Sequence, residues 1–377
     1  SSKWQATVTP LASIMGSGFL VSAPLLAGQV GNLALFCMAT LLAVAFAVGG
    51  AIRFNIRHFE PIENEGHGPA QVFAFLSRIV LAVAYFISVV YYLQLLAAFV
   101  LDAIGVASLS SAPMITSGLL LLITGIGMWK GLGLLERLEK YTVALNLGMI
   151  GALLVGLAFH NGALFFAGNW KLPEIESAID LPNLRVLLGL LIVVQGFETS
   201  RYMGSQHSAD ERIGSMRFAQ LLSAGIYLVF IGLSTVLFHE GLGADVTAII
   251  AMTSPVAIVL PLLLSIAAIG SQFSAAVADT EGCGGLVGDL TRDRVPMRYA
   301  YFLILLVTVF ITWETNVNEI IAYASRAFAL YYMLQCVVAL LILIRNPSLP
   351  NRHPKAAGFG FLAIVCLIVF SFGLPAE

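Results

Sequence analysis

Leu11–Leu20 reads LASIMGSGFL, with apolar residues on both flanks and Gly16, Ser17 and Gly18 at its centre. A glycine inside a helix costs about 1 kcal/mol relative to alanine, and two of them around a serine invite the backbone to open. The apolar segment that holds them, roughly 8–29, is long enough to cross a hydrocarbon core about 30 Å thick. A crossing helix that opens at mid-depth needs something to satisfy its freed backbone.

The rest of the chain is of the same kind. Of 377 residues 59% are hydrophobic and 11% are charged, with a mean hydropathy of +0.92, against about 25% charged in a soluble domain. The apolar residues gather into about eleven stretches, roughly 8–29, 31–53, 72–102, 114–130, 139–160, 185–203, 215–239, 255–288, 298–313, 318–344 and 357–375. Between them stand turn-rich connections such as HFEPIENEGHGP, NWKLPEIESAIDLPN and NPSLPNRHPK. This pattern predicts an all-α polytopic membrane protein. The first stretch is too long, and too closely followed by the next, for a signal peptide. The lipid bilayer is its expected surrounding. A net charge of −2 argues against nucleic acid as a partner. Cys37, Cys283, Cys336 and Cys366 lie in apolar stretches without metal-ligand spacing, which predicts buried thiols and no disulfide framework.

Orientation follows from the basic residues. With the N-terminus in the cytoplasm, sixteen of the nineteen Lys and Arg fall on the cytoplasmic side or at its edge. Only Lys171 and Arg185 lie outside, and Arg326 lies within a span. That imbalance meets the positive-inside expectation for a plasma or inner membrane, and an odd number of spans puts the C-terminus outside.

A second weak point matches the first. The sixth stretch contains LLGLLIVVQGFETSRYMG, where Gln195, Gly196 and Glu198 interrupt an apolar run. Paired interruptions in corresponding helices of two halves point to an inverted-repeat transporter. Residues 1–160 and 161–344 would be the two five-span repeats, and 345–377 a peripheral eleventh span. An opened turn in lipid survives only where a cavity or ligand satisfies it. The resumed half-helix offers N–H groups and a positive dipole end to an anion, and the carbonyls opposite suit an ammonium or a cation. Close helix packing through small residues is the other reading of Gly16-Ser17-Gly18 alone.

Three motifs resemble the amino acid–polyamine–organocation (APC) superfamily. GSGF in the first span resembles that family's unwound glycine-rich segment. GFETS, with the loop SQHSADERIGSMRFA, resembles its sixth span and the acidic–basic loop that follows. GDLTRDRVP (288–296) resembles the end of its eighth span. The resemblance implies a LeuT-type 5+5 inverted repeat with discontinuous helices 1 and 6, in which spans 1, 2, 6 and 7 move against 3, 4, 5, 8, 9 and 10. It also implies an amino-acid-like substrate. The carboxylate would rest on Gly16, Ser17 and Gly18, the amine on carbonyls near Ile14, Val194 and Gln195, with Gly196 opening the backbone and Phe197 as a lid. The lysine that some proton-coupled members carry midway along span five is missing from NLGMIGALL (146–154), and RDR replaces RDG after span eight.

Polar residues inside the spans each carry two readings. Glu198, costly at mid-bilayer unless paired or hydrated, is a proton carrier or gate, or a pin for the unwound backbone. Arg326 closes an outer gate with an acid such as Glu198 or reads an anion, or else forms a structural pair with Glu319 or Asp102. Ser271, Ser274 and Ala275 of span eight lie near the depth of a sodium site in sodium-coupled relatives, opposite Ala12 and Met15, or they pack helices. Asp279 and Thr280 line the inner pathway or bridge helices. Tyr91 and Tyr92 of span three face the substrate or pack, as do Gln94 and Gln272. No H-E-x-x-H or G-x-S-x-G suggests an enzyme, and no cofactor is expected beyond Na+ or H+ as a coupling ion. The chain thus reads as a secondary transporter, symporter or exchanger, of an amino acid or small amine. A passive facilitator or channel, or a transporter of a nucleobase or inorganic ion, is the alternative.

Overall fold

The computed structural model describes residues 2–16, 18–106, 111–131, 133–204, 207–243, 245–291 and 294–376, without the side chains of 2, 3, 5 and 133–140. Ser17 and Glu377 lie outside the described residues. Backbone N–H and C=O groups cannot go unpaired in hydrocarbon, so apolar stretches of this length become helices. They are α1 (Ser2–Gly16), α2 (Phe19–Val30), α3 (Ala34–His58), α4 (Pro69–Ala103), α5 (Ala112–Lys130), α6 (Gly133–Phe166), α7 (Leu181–Leu188), α8 (Ala209–Ser234), α9 (Ala248–Met252), α10 (Leu260–Thr291), α11 (Met297–Glu314), α12 (Val317–Arg345) and α13 (Arg352–Phe372).

Local chemistry sets several starts. Pro69 takes the first turn of α4, where its missing N–H costs nothing. Ser208 with Glu211, and Asn316 with Glu319, form capping boxes that begin α8 and α12. Among the described residues nine helical stretches are long and apolar enough to cross a membrane, and this is an integral membrane protein. The first of them, Ala6–His58, has 53 residues; within it α1 ends at Gly16, α2 begins at Phe19, and a 3-10 turn follows at Gly31–Leu33.

The sixth apolar stretch departs furthest from a plain helix. After α7 the chain turns at 189–190, forms a short 3-10 run Leu191–Val194, extends at Gln195 and reverses at Gly196 with φ 116°. It then continues as a 3-10 segment, Phe197–Tyr202. An interruption within a helix was the expectation; the opening instead covers most of the stretch.

Two groups of helices meet along these breaks. α4, α10 and α12 pack closely together, with α6 against α10 and α5 against α11. Facing them, α1 and α3 pack on α8. α4 and α10 run antiparallel: the Tyr85 ring lies 3.2 Å from where a Cβ on Gly282 would sit, and the Ser88 hydroxyl donates to Asp279. α13 lies on α12. Its C-terminal extension crosses the sixth stretch, where Leu374 N donates to Arg185 O at 3.0 Å. A Cβ on Gly189 would stand 2.1 Å from the Leu374 carbonyl. All four cysteines are free and buried.

Candidate functional site

The two breaks touch. A Cβ on Gly196 would lie 2.6 Å from Ser13 Oγ and 2.7 Å from Ile14 N. One on Gly18 would lie 2.9 Å from the Cα of Val193. Glycine at both places leaves room for the two opened chains to approach this closely, and at Gly196 it also permits the left-handed backbone.

The opened backbone is satisfied by side chains from other helices, as its desolvation requires. Ile192 N donates to Ser325 Oγ of α12 at 2.9 Å. The Tyr227 hydroxyl of α8 reaches Val193 O and also Ile14 O, the latter at 3.2 Å. One hydrogen therefore serves a carbonyl from each break. Gly196 N donates to Glu198 Oε2 at 3.0 Å, and Tyr332 of α12 donates to the same oxygen at 2.8 Å. Phe197 stacks on Tyr332 with ring centroids 5.1 Å apart and planes 16° from parallel. Gly16 O, at the end of α1, accepts from Gln272 Nε2 at 3.1 Å.

The expected site residues thus fall into three groups. Ile14, Gly16, Gly18, Val194, Gln195, Gly196, Phe197 and Glu198 meet around the joined breaks. Tyr92 belongs with them, since Gln195 Nε2 donates to its hydroxyl at 3.0 Å. Tyr91 is fully buried with its ring centroid 5.0 Å from that of Tyr92. On α10, Ser271 Oγ and Ala275 Cβ lie 3.6 and 3.9 Å from where a Cβ on Gly16 would sit. Ser274 and Met15 are buried nearby in sequence, and Ala12 is half-buried one turn before Gly16. Among the described residues no cluster of His, Cys, Asp and Glu could hold a metal ion. Asp279 joins α10 to α4 through Ser88, while the Thr280 hydroxyl bonds back to Ala276 O at 2.6 Å.

Arg326 stands apart from the joined breaks. Its Nε donates to Phe370 O at 2.6 Å and its guanidinium lies 5.8 Å from the centre of the Phe370 ring. It holds α13 and forms no pair with Glu198, Glu319 or Asp102 among the described residues. Glu319 caps α12 through Asn316 N at 2.9 Å, and Asp102 faces Thr247. The helix faces decide this: the sequence places Arg326 at a depth but not on a side. The carbonyl of Ile14, expected to meet an amine, already shares the Tyr227 hydrogen.

Sequence reasoning missed a second buried polar cluster. Arg201, 6% exposed, donates to Gln335 Oε1 and lies 3.5 Å from Glu63 Oε2. Gln335 of α12 also accepts from Asn55 Nδ2 at 3.0 Å and donates to Ser77 Oγ at 2.9 Å. Arg212 bonds Glu60 at 2.9 Å and Arg201 O at 2.8 Å. Arg201 reads in the sequence as one more basic residue at a span end, with nothing to mark its partners 134 and 138 residues away.

A cleft bounded by Ile14, Leu42, Ala45, Phe46, Val194, Gln220 and Ser223 borders both breaks and encloses about 10 Å³, room for about one water molecule. The breaks are closed on each other in this conformation.

Comparison with known proteins agrees with the architecture. The family profile for an APC superfamily transporter matches residues 1–373. The chain is also similar to an uncharacterized protein of Aquifex aeolicus (strain VF5), 44% identical over 99% of this chain and 91% of the relative. A match that spans nearly every residue of the chain assigns it: the protein belongs to the APC superfamily, and it is a membrane transporter of a small molecule, not an enzyme.

Proposed function

We propose that the protein is a secondary transporter of an amino acid or related small amine, working by alternating access, with its solute held where the breaks of the first and sixth spans meet. The observation that carries this reading is the backbone contact of Gly196 with Ser13 and Ile14, bridged by one tyrosine hydroxyl. Two opened helices in contact, their backbone groups held by polar side chains of other helices, form a polar site where lipid alone would forbid it.

Eleven crossings in a 5+5 inverted repeat fit the helices if α1 with α2 is span 1, α7 through Tyr202 is span 6, and α13 is span 11. The packing supports the repeat. Exchanging each span with its counterpart five later turns the contact of α4 with α12 into that of α10 with α6, and both are present. The moving bundle would be α1–α2, α3, the sixth stretch and α8. With the N-terminus inside, the Arg201–Gln335–Ser77 cluster lies at the cytoplasmic end, joining bundle to scaffold, and must part for release inward. Glu198, bonded to Gly196 and Tyr332, holds the break to the scaffold and is the acid to test for proton coupling. Ser271, Ser274 and Ala275 with Ala12 and Met15 are the place to test for sodium.

Uptake into proteoliposomes under separately imposed sodium and proton gradients tests the reading. Accumulation driven by either gradient, or exchange that needs internal solute, is the expected result. Solute flux that equilibrates passively and never exchanges would make the protein a facilitator. A thermal-shift screen of amino acids, amines and nucleobases identifies the solute, since a ligand that binds only the folded state raises its stability.

A further inference from the structure

Gln272 carries a feature that its packing leaves unexplained. Its side chain, 4% exposed, donates Nε2 to the Gly16 carbonyl, whose own helical partner is lost where α1 ends. That bond fixes which way the amide points, because the reverse would set two oxygens against each other. Oε1 is then buried with no hydrogen-bond partner among the described residues. A buried amide oxygen without a donor is destabilising, and native proteins leave few of them without cause.

The location supplies a cause. Ser271, its neighbour, and Ala275, one turn on, are the α10 residues that a Cβ on Gly16 would meet. The antiparallel register of α4 and α10, set by Tyr85 with Gly282 and Ser88 with Asp279, puts Tyr92 level with Ala275. Tyr92 in turn meets Gln195 of the second break. Gln272 thus stands beside the joined breaks on the scaffold side, and it exchanges one acceptor for another. It quiets the Gly16 carbonyl with its N–H and offers its own oxygen instead.

We infer that Gln272 is a specificity residue: its Oε1 accepts an N–H from the solute's amine, so the site selects solutes that carry a hydrogen-bond donor there. This rests on the reading of the protein as an amine-solute transporter. A site with a buried acceptor rejects an analogue that lacks the donor, because binding it leaves the acceptor unpaired.

The test uses the full-length protein in detergent and in proteoliposomes. Proteinogenic amino acids and simple primary amines are screened by thermal shift, each beside its N-trimethylated form, which keeps the charge and removes every donor. Wild-type protein binds an amine and discriminates against its trimethylated partner. Gln272→Leu weakens the amine by about tenfold or more and leaves the trimethylated form within about threefold, so the discrimination collapses. A merely structural glutamine would weaken both equally. Gln272→Asn, with a shorter reach, serves if Gln272→Leu does not fold, and it predicts the same loss of discrimination. Wild-type protein that binds an amine while the variants keep its discrimination overturns the inference and leaves the transporter reading standing. A Gln272-dependent shift produced by sodium alone overturns it in favour of an ion ligand. A wild-type protein that binds no amine but binds another solute overturns the amine reading and this inference with it.

Discussion

Replacing Gly196 with alanine puts a methyl group into the contact on which the site is built. Two costs combine. A φ of 116° is a backbone region that residues with a side chain seldom occupy, at about 1–3 kcal/mol. The new Cβ would also lie 2.6 Å from Ser13 Oγ, 2.7 Å from Ile14 N and 2.7 Å from the Ser13 carbonyl carbon. Two of those three are backbone and cannot swing aside, and overpacking of this sort costs typically about 1–3 kcal/mol. The expected loss is therefore roughly 2–6 kcal/mol if the breaks stay together, or a forced separation of the first and sixth spans if they do not. Either outcome impairs transport. The control is Gly118→Ala in α5, where a Cβ meets nothing within 4 Å and alanine is the better helix former. Because all four cysteines are free and buried, a thiol-reactive fluorophore reports thermal unfolding directly. The midpoint of Gly196→Ala should fall by about 3–8 °C, with uptake reduced, while Gly118→Ala unfolds no earlier than wild type. If Gly196→Ala matched wild type in both midpoint and uptake, the two breaks would not be in backbone contact and the site as described would be wrong.

The other expectations follow from single contacts. Tyr227→Phe removes the one hydrogen shared by Ile14 O and Val193 O and should cost about 1–3 kcal/mol through the buried carbonyls left behind; an unchanged unfolding midpoint would show that water replaces the hydroxyl. Glu198→Gln should abolish proton-driven accumulation while sparing exchange, and undiminished accumulation would remove Glu198 from coupling. Arg326→Ala should loosen α13, at about 1–3 kcal/mol for the lost charged hydrogen bond to Phe370 O, yet retain uptake; loss of uptake without loss of stability would restore a gating role. Gln335→Leu strips Arg201, Asn55 and Ser77 of a common partner and should favour inward opening. Faster maleimide labelling, from the inside, of a cysteine introduced at Ser77 is the measure; labelling no faster than in the Ser77→Cys single variant would count against the cluster as the inner closure.

Several of these contacts were within reach of the sequence, and others were not, for reasons that differ residue by residue. Gly16 and Gly18 declare a break locally, because helix formation is a short-range equilibrium and glycine shifts it wherever it stands. The sixth stretch is harder. LLGLLIVVQG reads as a crossing helix with a flaw at Gly196, yet the chain leaves the α-helix from Gly189 onward. What stabilises the opened form there is Ser325, Tyr227 and Tyr332, donors and acceptors from helices that lie 34 to 134 residues away in the chain.

By itself the sequence determined that this chain lives in a membrane as a set of apolar helices, and where two of them fail. Those are one-dimensional properties, set by the run length of apolar residues and by glycine. Only the tertiary structure decided which face each polar residue presents. Arg326 turned to α13, Arg201 found Gln335, and Gln272 reached the Gly16 carbonyl. A helix in lipid has little amphipathic pattern to fix its rotation, because its outer face and its packed face are both apolar. The rotation is settled by packing and by the need to pair each buried polar group, and that need is met between helices, not along one.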